Sequence, residues 1–180
     1  MKCKNCHINF KPTQFLQKFC RTNDECLLKE ALYLLDKKKK ADLKKRNKET
    51  VEKKKSLMTL SDWIKIAQTN FNYFIRLRDK GSVCISCQKP AKKENAGHYF
   101  NANNHYNVRF NEDNVHKQCE YCNTSLSGNL IPYRKYLIMK IGVERFEKLE
   151  EIAYLTRKFT IEEVKEINEI YKQKAKELCK

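Results

Sequence analysis

The residues best suited to chemistry are nine cysteines and four histidines, and eight of the cysteines fall into two local sets. Cys84-x2-Cys87 and Cys119-x2-Cys122 are two knuckles with 31 residues between them. A Cys-x2-Cys turn brings two thiolates to one ion, and two such turns fill a tetrahedral zinc shell. No ligand position then stays open, so that zinc is structural. A redox disulfide is the competing use of one Cys-x2-Cys, but it has no need of the second pair. The other set is Cys3-x2-Cys6 with Cys20 and Cys26, again four ligands for zinc, with His7 as an alternative to one cysteine. A unit this short cannot fold on apolar burial alone, so the metal would supply its folding energy, with Phe10, Phe15 and Phe19 as a minimal core. Cys179 is left over, without a role.

The segment between the paired knuckles is the most informative. Gly97-His98-Tyr99-Phe100 reads as a short aromatic strand presenting one histidine, and Val108-Arg109-Phe110 as a second strand. Residues 111–114 form a polar turn, and Asn123 directly follows Cys122. Zinc closing the ends of this segment brings His98, Asn114 and Asn123 together although they are far apart in the chain.

The elements around this segment are helical. Ser61 is a plausible N-cap for a helix over 61–80, whose Trp63, Ala67, Phe71, Phe74 and Ile75 recur at i+3/i+4 spacing. Arg76 and Arg78 close it, facing either its negative end or a polyanion. Phe146, Leu149, Ile152 and Ala153 mark another helix. Thr160 with Glu163 forms a capping box ahead of Ile161, Val164, Ile167 and Tyr171, so residues 143–180 read as a helical hairpin for packing or pairing. Residues 36–56 carry eleven Lys or Arg against four Asp or Glu and almost no large apolar residue. They suit a solvated linker, helical or disordered, and equally a phosphate-contacting arm. The expected division is a zinc-finger-like module (1–35), a basic linker or helix (36–60), a helix plus zinc-braced core (61–142) and the hairpin (143–180).

Over 180 residues, 38 Lys and Arg oppose 22 Asp and Glu, a net charge of +16. None of that excess lies beyond Gly142, where nine basic residues meet nine acidic ones. Such a chain seeks a polyanion, and nucleic acid leads. No apolar run is long enough for a membrane span, and the first residues lack the apolar stretch of a secretory signal. A chain in a reducing compartment keeps its cysteines for metal rather than disulfides.

The order His98, Asn114, Cys-x2-Cys, Asn123 resembles the ββα-metal (HNH) nuclease motif in a His-Asn-Asn form. More specifically, the chain resembles the phage lambda NinG (Rap) recombination family. The matching words are CKNC at 3–6 with FC at 19–20, then DW at 62–63, IRLRD at 75–79 and CISC at 84–87. They continue with AGHY at 96–99, RFNEDN at 109–114, QCEYCN at 118–123, SGN at 127–129 and YR at 133–134. They run in order over most of the chain.

The resemblance implies an α+β fold of small zinc-stabilised modules, with an HNH-type core flanked by α-helices. It implies a structure-specific endonuclease that hydrolyses phosphodiesters in Holliday junctions and D-loops, in the cytoplasm of a phage-infected or prophage-bearing host. His98 would be the general base, since a neutral imidazole suits water activation near pH 7. Asn114 would hold the His98 ring, and Asn123 would offer an oxygen to Mg²⁺ or Mn²⁺. Where many HNH sites have an Asp before the histidine, this chain has Gly97, so the second ligand must come from elsewhere, with Glu112 and Asp113 nearby. His116 is a further site candidate, whereas His105 reads as a loop residue. Arg76, Arg78, Lys92, Lys93, Arg134 and Lys135 would contact DNA phosphates, and two opposed nicks call for a homodimer. The competing function is a non-catalytic, zinc-stabilised binder of branched or single-stranded DNA, with Tyr99 and Tyr106 stacking on bases. An RNA-binding module shares the charge but gives no use for the His-Asn-Asn set.

Overall fold

The computed structural model describes residues 1–179 and divides the chain into two compact units, residues 1–57 and 58–180. In the first, Cys3, Phe19, Cys20 and Cys26 are buried together, with Cys6, Phe10 and Tyr33 packed against them. Phe15 is 95% exposed, so it is no part of this core. A cluster built on four sulfurs leaves room for few aromatic rings. Helix α1 (Asp24–Ser56) starts inside the module: the Asn23 side chain caps it by accepting from the Cys26 backbone N–H. The basic run thus continues the helix that bears the fourth cysteine. Cys26 is the one buried residue of α1.

The second unit is built around a two-stranded antiparallel hairpin, β1 (Glu94–His98) and β2 (Val115–Cys119), in which His98 pairs with Val115 and Gly97 with His116. The expected strand at 108–110 is instead the end of a 3₁₀ turn over Tyr106–Val108. The true second strand, Val-His-Lys-Gln-Cys, has one large apolar residue and so no visible strand pattern. One hairpin face packs on α2 (Leu60–Arg78) and α5 (Ile161–Leu178) through Phe71, Phe74, Ile75, Val115, Tyr171 and Ala175. The other face meets α3 (Leu130–Ile141), where the buried Tyr133 hydroxyl donates to the Gly97 carbonyl at 2.8 Å.

Thr59, not Ser61, caps α2, because Asp62 at the third helical position returns a bond to the Thr59 N–H and completes a capping box. Thr160 and Glu163 form the expected box on α5. The C-terminal helices do not form a hairpin with each other. Helix α4 (Val143–Ala153) joins α3 around Phe146 and Leu149, while α5 lies along α2. Among the described residues, no helix is long and apolar enough to cross a membrane.

Candidate functional site

Each cysteine set is gathered to one point. In both, the four sulfurs lie within 4.8 Å of one another. Zn–S bonds of about 2.3 Å in a tetrahedron require sulfurs about 3.8 Å apart. The observed pairs are Cys3–Cys26 at 3.8 Å, Cys6–Cys20 at 3.5 Å and Cys87–Cys119 at 3.9 Å. No disulfide has this spacing, so both quartets fit zinc. His7 lies outside the first group. Burial pushes the Cys122 thiol up to about 12, and the Cys119 and Cys87 sulfurs push it the same way, so it ionises only against a cation. The first knuckle is pinned to the hairpin by the Ile85 N–H, which donates to the Lys117 carbonyl at 2.9 Å.

A zinc ion held by the second quartet would anchor β2 and the wide π-helical turn over Tyr121–Ser125, which carries Asn123. The element after β2 is this single turn rather than an α-helix. Ser127, Gly128 and Asn129 all have positive φ, which stops helix propagation until Leu130. The turn nonetheless places Asn123 across from His98. Both line one cleft of about 380 Å³, together with Ala96, Asn101, Ala102, Asn103, Ser127 and Gly128.

His98 is fixed from behind. Its Nε2 lies 3.1 Å from the Arg109 carbonyl, which can only accept, and 3.4 Å from the Gln68 amide nitrogen, which can only donate; the shorter contact assigns the proton to Nε2 and the lone pair to Nδ1. The ring stands beside Phe71, and burial lowers its pKa to about 4, with the Arg109 carbonyl opposing that shift. His98 is thus a neutral acceptor at pH 7.

Asn114 is fully buried and does not touch the His98 ring. Its Oδ1 accepts from the Phe100 N–H at 2.7 Å, and its amide donates to the carbonyls of Phe100 (3.0 Å) and Val108 (2.9 Å). It therefore fixes the loop leaving β1, and acts on His98 only through the backbone. Asn114→Ala strands three buried backbone groups at about 1 kcal/mol or more each. We expect a loss of about 3 kcal/mol in urea unfolding, with zinc content unchanged.

His116 faces away from the cleft, one residue out of phase with His98 in the hairpin. Its Nε2 donates to the Asp113 carbonyl at 3.1 Å and its Nδ1 accepts from Arg78 at 2.9 Å, so it is a buried brace and not a site residue. Arg78 likewise leaves the DNA-contact set. It binds the carbonyls of Glu112 and Val115 and both oxygens of Asp79. Asp79 is buried; despite the cost of that burial, His116, Arg78 and the Lys117 N–H hold its carboxyl far below the usual range.

Gly97 cannot be the missing carboxylate, nor could a side chain be added there. A Cβ would meet Gln118 Oε1 at 2.2 Å, and the position faces away from His98. Glu112 pairs with Lys174 at 2.6 Å and Asp113 with Arg145, so neither reaches the cleft. No carboxylate lines it among the described residues. His105 is a loop residue, held to the Ala153 carbonyl at 3.0 Å.

Of the other predicted DNA contacts, Lys92, Lys93, Arg134 and Lys135 are exposed and Arg76 is half-buried. Lys93 pairs with Glu120 at 3.2 Å, and Arg134 with Glu150 at 3.7 Å.

The buried His116 and the half-buried His98 both have an acid-side consequence. Burial lowers the pKa of His116 as it does that of His98, below the ordinary 6.5. Below that pH the unfolded chain takes up protons that the folded chain refuses, so stability falls as pH drops. For His98 the window runs from 6.5 to about 4, at up to about 1.4 kcal/mol per pH unit. Urea unfolding at pH 7 and pH 5 should show a smaller acid loss in His98→Gln than in the wild type. Zinc-thiolate protonation adds equally to both proteins and cancels in the comparison.

The model of one protein family, "Bacteriophage Lambda NinG protein", matches residues 1–180. The chain belongs to the NinG family. It is 45% identical over 127 residues to "Protein ninG" of Escherichia phage lambda, an alignment covering 70% of this chain and 62% of that protein. The NinG proteins of Escherichia phage 933W and Salmonella phage P22 are each 42% identical over 127 residues, covering 70% of this chain and 63% and 62% of their own lengths. The match thus spans less than two thirds of these NinG relatives. No solved structure matches the chain.

Proposed function

We propose that this NinG-family chain is a structure-specific endonuclease that hydrolyses phosphodiesters in branched recombination intermediates. One observation carries the reading: a neutral His98, its ring held at Nε2, shares a cleft with Asn123 in a chain of net charge +16. The strand–turn–strand–Asn order supports a reduced ββα-metal site in which a wide turn takes the place of the helix.

The chain's own residues divide the work as follows. His98 Nδ1 accepts a proton from water as the water oxygen attacks phosphorus, while the bond from phosphorus to the 3′-oxygen breaks. Asn114 fixes the backbone on which His98 sits. Asn123, one of the side-chain oxygens of the cleft beside Asn101, Asn103 and Ser127, would hold Mg²⁺ or Mn²⁺, which would stabilise charge on the phosphoryl oxygens and the leaving group. With no carboxylate present, the ion would share Asn123 with substrate phosphate and water. Lys92, Lys93, Arg134, Lys135, Arg76 and the basic face of α1 supply phosphate affinity without reading sequence. The two-fold nicking of a junction calls for a homodimer.

A carboxylate-free cleft also favours a second reading, a zinc-stabilised binder of branched or single-stranded DNA. Tyr106, 39% exposed with Phe159 and Arg109 beside its ring, is the more available of the two tyrosines to stack on a base, since Tyr99 is engaged with Tyr133 and Phe146. An end-labelled four-way junction separates the two readings. Nicks formed with Mg²⁺ or Mn²⁺ and abolished by chelator support the nuclease. Saturable binding with no nick under any ion establishes the binder.

A further inference from the structure

Arg109 stands out among the basic residues near the cleft because its charge is partly buried and has no carboxylate. Its Nε donates to Gln68 Oε1 at 2.9 Å and its Nη1 to the Ala102 carbonyl at 3.0 Å, both neutral acceptors. Among the described residues no acid lies within ion-pair distance of it, whereas the nearby Arg78, Arg145 and Lys174 all have one. Burial pushes its pKa down, so the fold pays for keeping this cation. The site is also built. Gln68 comes from α2, Ala102 lines the cleft, and the Arg109 carbonyl is the group that orients His98. The guanidinium lies 5.5 Å from the ring centre of Tyr106, which is 39% exposed.

A half-buried guanidinium braced by two neutral acceptors lacks an anion, and its fork of donors suits an oxyanion with two oxygens to offer. We propose that Arg109 binds a backbone phosphate of the DNA strand entering the His98 cleft, with Tyr106 beside it against the adjoining sugar or base. This rests on the nuclease reading for the identity of the strand, but not for the contact itself. Free inorganic phosphate offers the same chemistry. DNA is favoured because Arg109 and Tyr106 together present a cation beside an aromatic face, which is what a nucleotide unit uses.

The test is the affinity for a four-way junction in chelator, where nothing is cut, measured from 50 to 200 mM salt. Each phosphate contact adds about 0.9 to the slope of log affinity against log salt. Arg109→Gln should lower that slope by about 0.9 and weaken binding roughly tenfold at the low-salt end. Arg109→Lys, which keeps the charge but not the brace to Gln68 and Ala102, should keep the slope. A slope unchanged in Arg109→Gln, or lost equally in Arg109→Lys, overturns the contact and makes Arg109 a loop brace. In the wild type, the Arg109 Nε–H resonance, assigned by its loss in Arg109→Lys, should move on adding junction. A resonance that moves with inorganic phosphate but not with junction overturns the DNA assignment. This second measurement holds even if Arg109→Gln fails to fold. A wild type that never cuts, together with a slope lowered by about 0.9 in Arg109→Gln, refutes the nuclease while supporting the contact. A wild type that cuts while Arg109→Gln keeps its slope does the reverse.

Discussion

Cys84→Ser releases the zinc of the second unit and unfolds the hairpin that carries His98. The reason is that the quartet ties down the end of a hairpin whose own strands are short, beside its packing on α2, α3 and α5. Its two strands are five residues each, and an isolated two-stranded ribbon is marginal in water. The knuckle at Cys84 ties to β2 through Ile85 and Lys117, and Cys119 ends β2 itself. The fully buried Cys84 and Cys122 sit where a serine oxygen would be a poor zinc ligand. Structural zinc contributes about 10–16 kcal/mol in small modules, more than the whole stability of a typical domain. The expected outcome is one zinc per chain instead of two, with loss of near-ultraviolet signal from the second unit. Cys26→Ser should also leave one zinc per chain, but with the second unit folded, since the two units form separate compact bodies. Two zinc ions retained in Cys84→Ser would remove the metal from the account of this fold.

His98→Ala slows junction cutting by about 10²–10⁴-fold, the usual contribution of a positioned general base, while leaving junction affinity within about twofold. The size of the effect follows from the absence of a substitute. Asn101, Asn103, Asn123 and Ser127 line the cleft with groups that do not take a proton near pH 7, and His116 points to the opposite face. Affinity should persist because the cations proposed to contact phosphate lie on other elements. His98→Ala also removes the Nε2 bond to Arg109, so the zinc content and unfolding midpoint of the variant must be measured beside its rate.

The features legible in the sequence were those set by short-range spacing or by closure through metal. Two Cys-x2-Cys turns can meet at one ion whatever the surrounding fold does, and once they meet, His98 and Asn123 are drawn to one cleft. The stripe Ala67, Phe71, Phe74 and Ile75 was legible for the same reason, as helix periodicity needs no partner. What escaped depends on tertiary burial of polar groups. β2 hides a buried His116, Lys117 and Gln118 in what reads as a polar strand, because Arg78, Glu94 and Ser86 come from other segments to bond the His116 ring, the Lys117 ammonium and the Gln118 amide nitrogen. Arg78 looks like a surface cation at a helix end until α2 docks on the hairpin and it becomes a plug between two carbonyls. Asn114 bonds to the backbone rather than to the imidazole, a distinction that residue type alone does not make. Arg109 carried no signal at all, since its meaning lies in the acid that is not beside it.

Single-turnover cutting of an end-labelled four-way junction, with wild type and His98→Ala both at saturating occupancy and in Mg²⁺, tests the central claim most directly. The account predicts that the wild type nicks the junction, while His98→Ala, folded and bound with two zinc ions, leaves it intact on the same timescale. Equal cutting by the two proteins would contradict the assignment of the base to His98.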